Sequence, residues 1–182
     1  MSIILGYDAA TLREKVDLIE AGQRLALLED QDEPATLTER IGLLRLVGRL
    51  DEALVLAEES LAATRENGDE EQVLLARIRR AQVRQFRGEL DIALDELADC
   101  ATSAHDHGWE STEAVALQHH GKALFEKEDF AAALTDFRKA IALRESIDAP
   151  AELVESCRFA AETAEARLAE PPLGDPPLAE VG

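Results

Sequence analysis

Apolar residues recur along most of the chain at the three- and four-residue spacing that is typical of amphipathic helices. Short polar or glycine-containing stretches separate these runs and are interpreted as loops. The pattern predicts eight helices and no strand. The predicted helices span residues 9–29, 36–47, 50–66, 70–87, 90–106, 110–127, 130–146 and 150–169.

The pattern also repeats along the chain with a period of forty residues. The segment Gly48–Leu54 recurs as Gly88–Leu94 and, more loosely, as Glu128–Leu134. A fixed period of this length is typical of repeat proteins built from one stacked supersecondary unit. Each copy predicts a helical hairpin: an amphipathic helix, a tight turn and a second helix. A small residue marks the close approach of the two helices in each copy, namely Ala53, Ala93 and Ala133.

Glycine and aspartate mark the turns of the first two copies. Gly48 and Gly88 stand where the end of a helix calls for a left-handed residue. Asp51 and Asp91 fall in the first turn of the next helix, where the helix dipole favours an acid. The sequence therefore predicts both the end of one helix and the start of the next.

The third copy, residues 116–141, resembles the tetratricopeptide repeat (TPR) family. Because the forty-residue repeat is longer than the commonest TPR, it resembles the long repeats found in bacterial regulators and kinesin light chains. The resemblance covers about residues 34–168. It implies an all-α, right-handed solenoid of about eight antiparallel helices without a β-sheet. The residues that match the family spacing are Gly121, Leu124, Phe130, Ala133, Phe137 and Ala140.

Four regions follow from this alignment. Residues 1–33 are interpreted as an N-terminal capping helix and loop, because Arg13 falls where the repeat requires a small residue. Residues 34–148 form three TPR-like hairpins, and residues 149–169 form a C-terminal capping helix. Residues 170–182 are a Pro-rich tail that cannot be helical and is expected to be extended or flexible.

Charge narrows the classes of partner. The chain has 38 acidic and 19 basic residues and a net charge of -19, which argues against binding nucleic acid or an anionic membrane. The N-terminus has neither a signal-peptide pattern nor a membrane span, so we expect a cytoplasmic protein. Cys100 and Cys157 lie far apart in helical patterns and are expected to be reduced and buried.

The four histidines are the residues that could suggest catalysis or metal binding. His105 and His107 close one helix, whereas the adjacent pair His119 and His120 lies in the middle of the next. Adjacent residues on a helix diverge by about 100 degrees, so neither pair has the spacing for chelation. We predict no metal, no cofactor and no enzymatic activity, with a hydrolase-like enzyme as a remote alternative.

A stripe of arginines is unusual in so acidic a chain. Nearby acids can neutralise it, which is the interpretation we favour. The alternative is an anion patch for an acidic or phosphorylated partner, since the guanidinium fork matches carboxylate and phosphate. The stripe consists of Arg77, Arg80, Arg84 and Arg87.

The resemblance to TPR proteins implies a binding surface, because the first helix of each hairpin lines a concave groove in that family. We therefore expect an adaptor or scaffold that holds a peptide segment of another protein in this groove. Self-assembly through the terminal helices is the alternative. The expected groove residues are Arg45, Leu46, Ile78, Gln82, Gln85, Phe86, Gln118, Lys122, Phe125 and Arg158.

Overall fold

The structure is a computed structural model that describes residues 3–29, 31 and 33–170 of the 182-residue chain. Within these ranges the chain forms a short β-hairpin followed by eight helices, which confirms the all-α class. The predicted tail lies outside the described residues apart from Glu170. The strands are β1 (Ile4–Tyr7) and β2 (Glu14–Val16). The helices are α1 (Leu18–Leu27), α2 (Pro34–Leu46), α3 (Leu50–Asn67), α4 (Glu70–Phe86), α5 (Leu90–Asp106), α6 (Glu110–Glu126), α7 (Phe130–Ser146) and α8 (Ala151–Ala169).

The forty-residue repeat is visible in the turns that close α2, α4 and α6. Gly48 and Gly88 have φ angles of 80° and 83°, and Glu128 at the equivalent position has a φ of 64°. The residue after each of them donates its backbone N–H to a carbonyl five positions earlier, at distances of 2.9 to 3.0 Å. This is the Schellman arrangement, which satisfies the last carbonyls of a helix. The predicted left-handed helix ends are therefore confirmed.

Each helix from α2 onward packs against the next, so the helices form successive antiparallel hairpins. The even-numbered helices also contact one another, α2 with α4, α4 with α6 and α6 with α8. In the described part of the chain no comparable contact joins α3, α5 and α7. The even-numbered helices are thus closer together, and the array curves toward the face that they line. We call this face the inner groove.

Small residues set the distance between paired helices. Ala53, Ala93 and Ala133 are fully buried, as the repeat predicts. Gly121 lies under the ring of Phe137, and a Cβ atom there would approach that ring to 2.6 Å. A glycine on α6 thus makes room for the large aromatic residue on α7.

The N-terminal region differs from its prediction. Helix α1 begins only at Leu18, where Asp17 caps it by accepting hydrogen bonds from the backbone N–H groups of Ile19 and Glu20. Residues 9–17, which we expected to be helical, belong to the β-hairpin instead. The expectation of no sheet therefore needs this one correction: β1 and β2 pair antiparallel, with an irregularity between Ile4 and Gly6.

The turn at Glu128 generates a stability prediction. A left-handed conformation costs a non-glycine residue about 1–2 kcal/mol, and glycine avoids most of that cost. Glu128→Gly should raise the melting temperature by about 2–4 °C, which corresponds to roughly 1 kcal/mol for a chain of this size. Gly88→Ala, at the same position one repeat earlier, should lower it by a similar amount. Thermal unfolding followed by circular dichroism measures both, and a destabilised Glu128→Gly protein would contradict the assigned turn geometry.

Candidate functional site

The β-hairpin lies along the inner groove and touches all four even-numbered helices. Glu14 reaches α2, Arg13 reaches the ring of Phe86 on α4, and both also contact α6. Tyr7 reaches α8, where its ring stacks on Phe159 with the ring centroids 5.9 Å apart. The surface predicted to hold a peptide from another protein thus already holds a segment of this chain.

Glu14 is paired with two cations from different helices of the groove. Its carboxylate lies 3.2 Å from Nη1 of Arg45 on α2 and 3.7 Å from Nζ of Lys122 on α6. All three side chains are at most 10% exposed. Burying a charge is unfavourable unless it is paired. The buried positions of Arg45 and Lys122 therefore depend on the carboxylate of Glu14, and that of Glu14 depends on the two cations.

Arg13 makes the second set of polar contacts. Its guanidinium donates to both carboxylate oxygens of Glu126, at 3.2 and 2.9 Å. Gln85, which is 2% exposed, also donates to Glu126 through Nε2 at 2.8 Å. Two guanidinium groups lie over the ring of Phe86, with that of Arg13 4.5 Å and that of Arg45 4.3 Å from the ring centroid. Cation–π attraction to Arg13 and Arg45 therefore helps to hold this ring against the hairpin.

Tyr7 ends a chain of hydrogen bonds that begins on α7. Arg144 donates to Oε1 of Gln118 at 2.7 Å, and Nε2 of Gln118 donates to the Ser156 hydroxyl at 3.0 Å. Ser156 in turn donates to the hydroxyl of Tyr7 at 3.1 Å. The face of the Tyr7 ring lies 5.1 Å from Nζ of Lys122. The first strand is thus attached to α6 and α8 by polar contacts.

Leu12 anchors the turn between the two strands. It is 1% exposed and belongs to the core cluster that contains Phe125, Phe137 and Ala161. Its φ angle is 57°, a left-handed value that costs a residue with a side chain about 1–2 kcal/mol. Burial of a leucine side chain stabilises by about 1.5–3 kcal/mol, so packing outweighs the backbone strain.

The groove changes the pKa values of its ionisable groups. Burial alone would raise the pKa of Glu14, but the charges of Arg45 and Lys122 outweigh it and lower this pKa to about 2. Burial lowers the pKa of Lys122, and Glu14 opposes that shift. Burial, together with the charges of Lys122 and Arg45, also holds the pKa of His119 well below its ordinary value, although part of the residue remains accessible to solvent. His119 is therefore neutral at neutral pH.

The predicted groove residues divide into three groups. Arg45, Gln85, Phe86, Gln118 and Lys122 lie where expected and take part in the network that holds the hairpin. Leu46 and Gln82 are half-buried on α2 and α4. The last group is placed on even-numbered helices but outside this polar network. Phe125 is 2% exposed and shares a core cluster with Leu12 of the hairpin, Ile78 is 1% exposed in another core cluster, and Arg158 is exposed and pairs with Glu145 on α7.

The arginine stripe is neutralised within the chain, on the side of α4 away from the hairpin. Arg77, Arg80 and Arg84 all approach the carboxylate of Glu96 on α5, which is 7% exposed. Arg87 pairs with Asp51 and Glu89. This geometry favours the first interpretation of the stripe over an anion patch, although the partner acids are mostly not those nearest in sequence.

The histidines do not converge. His105 approaches Glu113 at 3.2 Å, His107 stacks on Trp109, and His120 lies 2.6 Å from Asp136. Across the residues that the structure describes, no group of three or more His, Cys, Asp or Glu side chains is arranged to hold a metal ion. In the same residues, no helix combines the length and the apolar character needed to cross a membrane.

Comparison with known proteins supports the class of fold. No protein family model matches the chain, and no curated protein matches it. Among solved structures, the crystal structure of BtubC (BKLC) from P. vanneervenii is similar, with a TM-score of 0.53 and 20% sequence identity. The match covers 84% of this chain and 70% of that chain. Over the residues that the structure describes, the fold and this likeness define a predominantly helical protein with a repeat-like array of eight helices.

The shifted pKa of Glu14 predicts a pH dependence of stability. A carboxylate whose pKa falls on folding stabilises the protein above its unfolded pKa of about 4.3, and this contribution is lost as the pH falls toward its folded pKa. With a folded pKa of about 2, the window runs from roughly pH 4.5 down to pH 2. The contribution is on the order of 3 kcal/mol.

Urea unfolding at several pH values tests this expectation. The difference in unfolding free energy between wild type and Glu14→Gln should be constant from pH 7 to about pH 5 and should shrink below that. Glu59→Gln, which alters an exposed carboxyl on α3, serves as the control and should differ little from wild type at neutral pH. A Glu14→Gln difference that stays unchanged down to pH 3 would contradict the buried ion pair.

Proposed function

We propose that this protein is a non-enzymatic, TPR-like interaction module, an adaptor or scaffold that binds a polypeptide segment of a partner protein in the inner groove. The observation that carries the proposal is the occupied groove itself. Its even-numbered helices hold a hairpin through a paired carboxylate, a paired guanidinium and a buried leucine. These are the same kinds of contact by which one protein captures a segment of another.

Part of the groove is open beside the hairpin. A cleft of about 520 Å³ lies between β1 and α8, and Leu5, which is 67% exposed, is among its lining residues. Phe159 adds an aromatic surface, while Glu152 and Glu155 place acids beside it. An apolar cleft with a charged rim is a suitable first contact for a partner segment.

The ionisable groups favour binding over catalysis. Glu14 and Glu126 are engaged by cations of the same chain, as in structural ion-pair networks. Burial raises the pKa of Cys100 to about 11 and also raises that of Cys157, so both thiols are protonated at neutral pH. Unreactive free thiols also suit the cytoplasmic location that we propose.

Affinity capture from the source cell tests the proposal. The groove variant carries Arg45→Glu and Lys122→Glu, and a matched control carries Arg65→Glu and Arg138→Glu on the outer helices α3 and α7. We expect a protein that co-purifies with wild type and with the control to be lost with the groove variant, because two binding cations have been reversed. Circular dichroism checks that all three proteins are folded. If a folded groove variant retained every partner, the groove would not be the binding surface.

Self-assembly is a second candidate, favoured by one observation at the N-terminal end. Helix α1 buries Ala21 and Leu25 but leaves Leu18, Ile19 and Leu27 between 62% and 75% exposed. An apolar face at the end of a helical array can stack on another copy.

Light scattering distinguishes this candidate. Wild type at about 50 μM, a concentration at which contacts with Kd in the low micromolar range are populated, should be dimeric or larger, and Ile19→Glu with Leu27→Glu should restore a monomer. A wild-type monomer at that concentration would exclude assembly through α1.

A further inference from the structure

We propose that the N-terminal hairpin is an internal ligand that a partner displaces, and that the partner segment carries an apolar, a basic and an acidic residue in succession. Leu12, Arg13 and Glu14 present this order to the groove. The inference rests on the proposed function and specifies the chemistry of the partner.

Each residue of the triplet meets a separate and complementary site. The apolar site belongs to the core cluster with Phe125 and Ala161. The site for the basic residue is the carboxylate of Glu126 beside the Phe86 ring. The site for the acidic residue is formed by Arg45 and Lys122. Because the two charged sites have opposite signs, the groove distinguishes this order of charges from the reverse order.

Three features favour release of the hairpin from the groove. A two-stranded hairpin is marginally stable by itself, so β1 and β2 depend on the groove for their order. Leu12 holds a left-handed backbone conformation in the docked state. A segment that reaches the same three sites with a relaxed backbone would avoid this strain. At the other end, Asp17 caps α1 independently of the groove, so α1 can persist when the hairpin is released.

Tethering explains why an internal ligand controls access. A segment attached to its own site has an effective concentration in the millimolar range, so a free peptide with the same contacts competes poorly. The docked hairpin therefore raises the affinity that a partner segment needs in order to occupy the groove. Weakening the contacts between the hairpin and the groove should lower this required affinity without altering the groove.

The test uses the full chain and a fluorescently labelled peptide with the sequence of residues 3–17. In the released variant, Arg13→Glu faces Glu126, and Glu14→Lys faces Arg45 and Lys122, so both internal contacts become repulsive. The control variant is Lys15→Glu, which alters an exposed charge on the same strand. A second peptide carries Arg13→Glu and Glu14→Lys, so that its charges are reversed at the two sites.

Fluorescence anisotropy should show that the native peptide binds the released variant at least about tenfold more tightly than it binds wild type or the control, because the tethered competitor is gone. The charge-reversed peptide should bind none of the three proteins detectably. Equal binding of the native peptide to wild type and the released variant would overturn the inference, as would equal binding of both peptides.

Misfolding of the released variant and dimerisation of wild type also have defined consequences for the inference. If the released variant does not fold, Glu14→Gln replaces it and should give an intermediate affinity, and an affinity equal to that of wild type overturns the inference. If wild type dimerises and the released variant does not, the hairpin is exchanged with a second copy, and the assignment of a separate partner is overturned.

The proposed function can survive this failure. Capture of a partner that depends on Arg45 and Lys122, combined with no peptide binding by a folded released variant, would overturn the internal-ligand inference alone. If the folded released variant did not bind the peptide and partner capture did not depend on Arg45 and Lys122, both the internal-ligand inference and the proposed function would be overturned.

Discussion

The groove is organised by the need to neutralise two buried cations. Arg45 and Lys122 come from helices at different positions in the array, and Glu14 contacts both. Removal of one member of a buried ion pair typically costs about 3–5 kcal/mol, because the remaining charge is left without water or partner. The position of the hairpin, the orientation of Arg45 against Phe86 and the low pKa of Glu14 all follow from this requirement.

The same contact changes how the helical array behaves. In an open solenoid each repeat contacts only its neighbours, so stability is close to a sum of local terms. Here Ile3 and Val16 pack against the core cluster of the first helices, whereas Leu12 lies in the cluster of the last ones. The hairpin therefore connects the two ends of the array directly. Any event that releases it should also loosen the coupling between the first and the last repeat.

The helices could be predicted from the sequence because their signals are local and repeated. Gly48 and Gly88 mark left-handed turns, and Glu128 adopts the same conformation because the repeat holds it there. Such positions recur every forty residues, so each copy supports the others. Six predicted groove residues also contact or support the hairpin, because the side of a helix on which a residue falls follows from the 3.6-residue period.

The hairpin could not be predicted in the same way. Strands of four and three residues are too short for a clear alternating pattern, and β-structure depends on contacts distant in sequence. One signal was available: Arg13 does not fit the repeat, which set the N-terminal region apart. Glu14 beside it carried no mark of its role, since its partner Lys122 lies more than a hundred residues away.

Charge illustrates why composition alone does not describe a binding surface. The chain carries a net charge of -19, yet the inner groove contains cations that the hairpin covers and neutralises.

The arginine stripe and the groove cations both form ion pairs with carboxylates, but their partners differ. The stripe is neutralised chiefly by acids on α3 and α5, such as Glu96, which are fixed by the core of the array. The groove cations are neutralised by Glu14 of the β-hairpin, which lies outside the helices. Exchange of the second pairing would leave the contacts between the helices in place, so under the proposed function the groove, rather than the more conspicuous stripe, is the surface that responds to a partner.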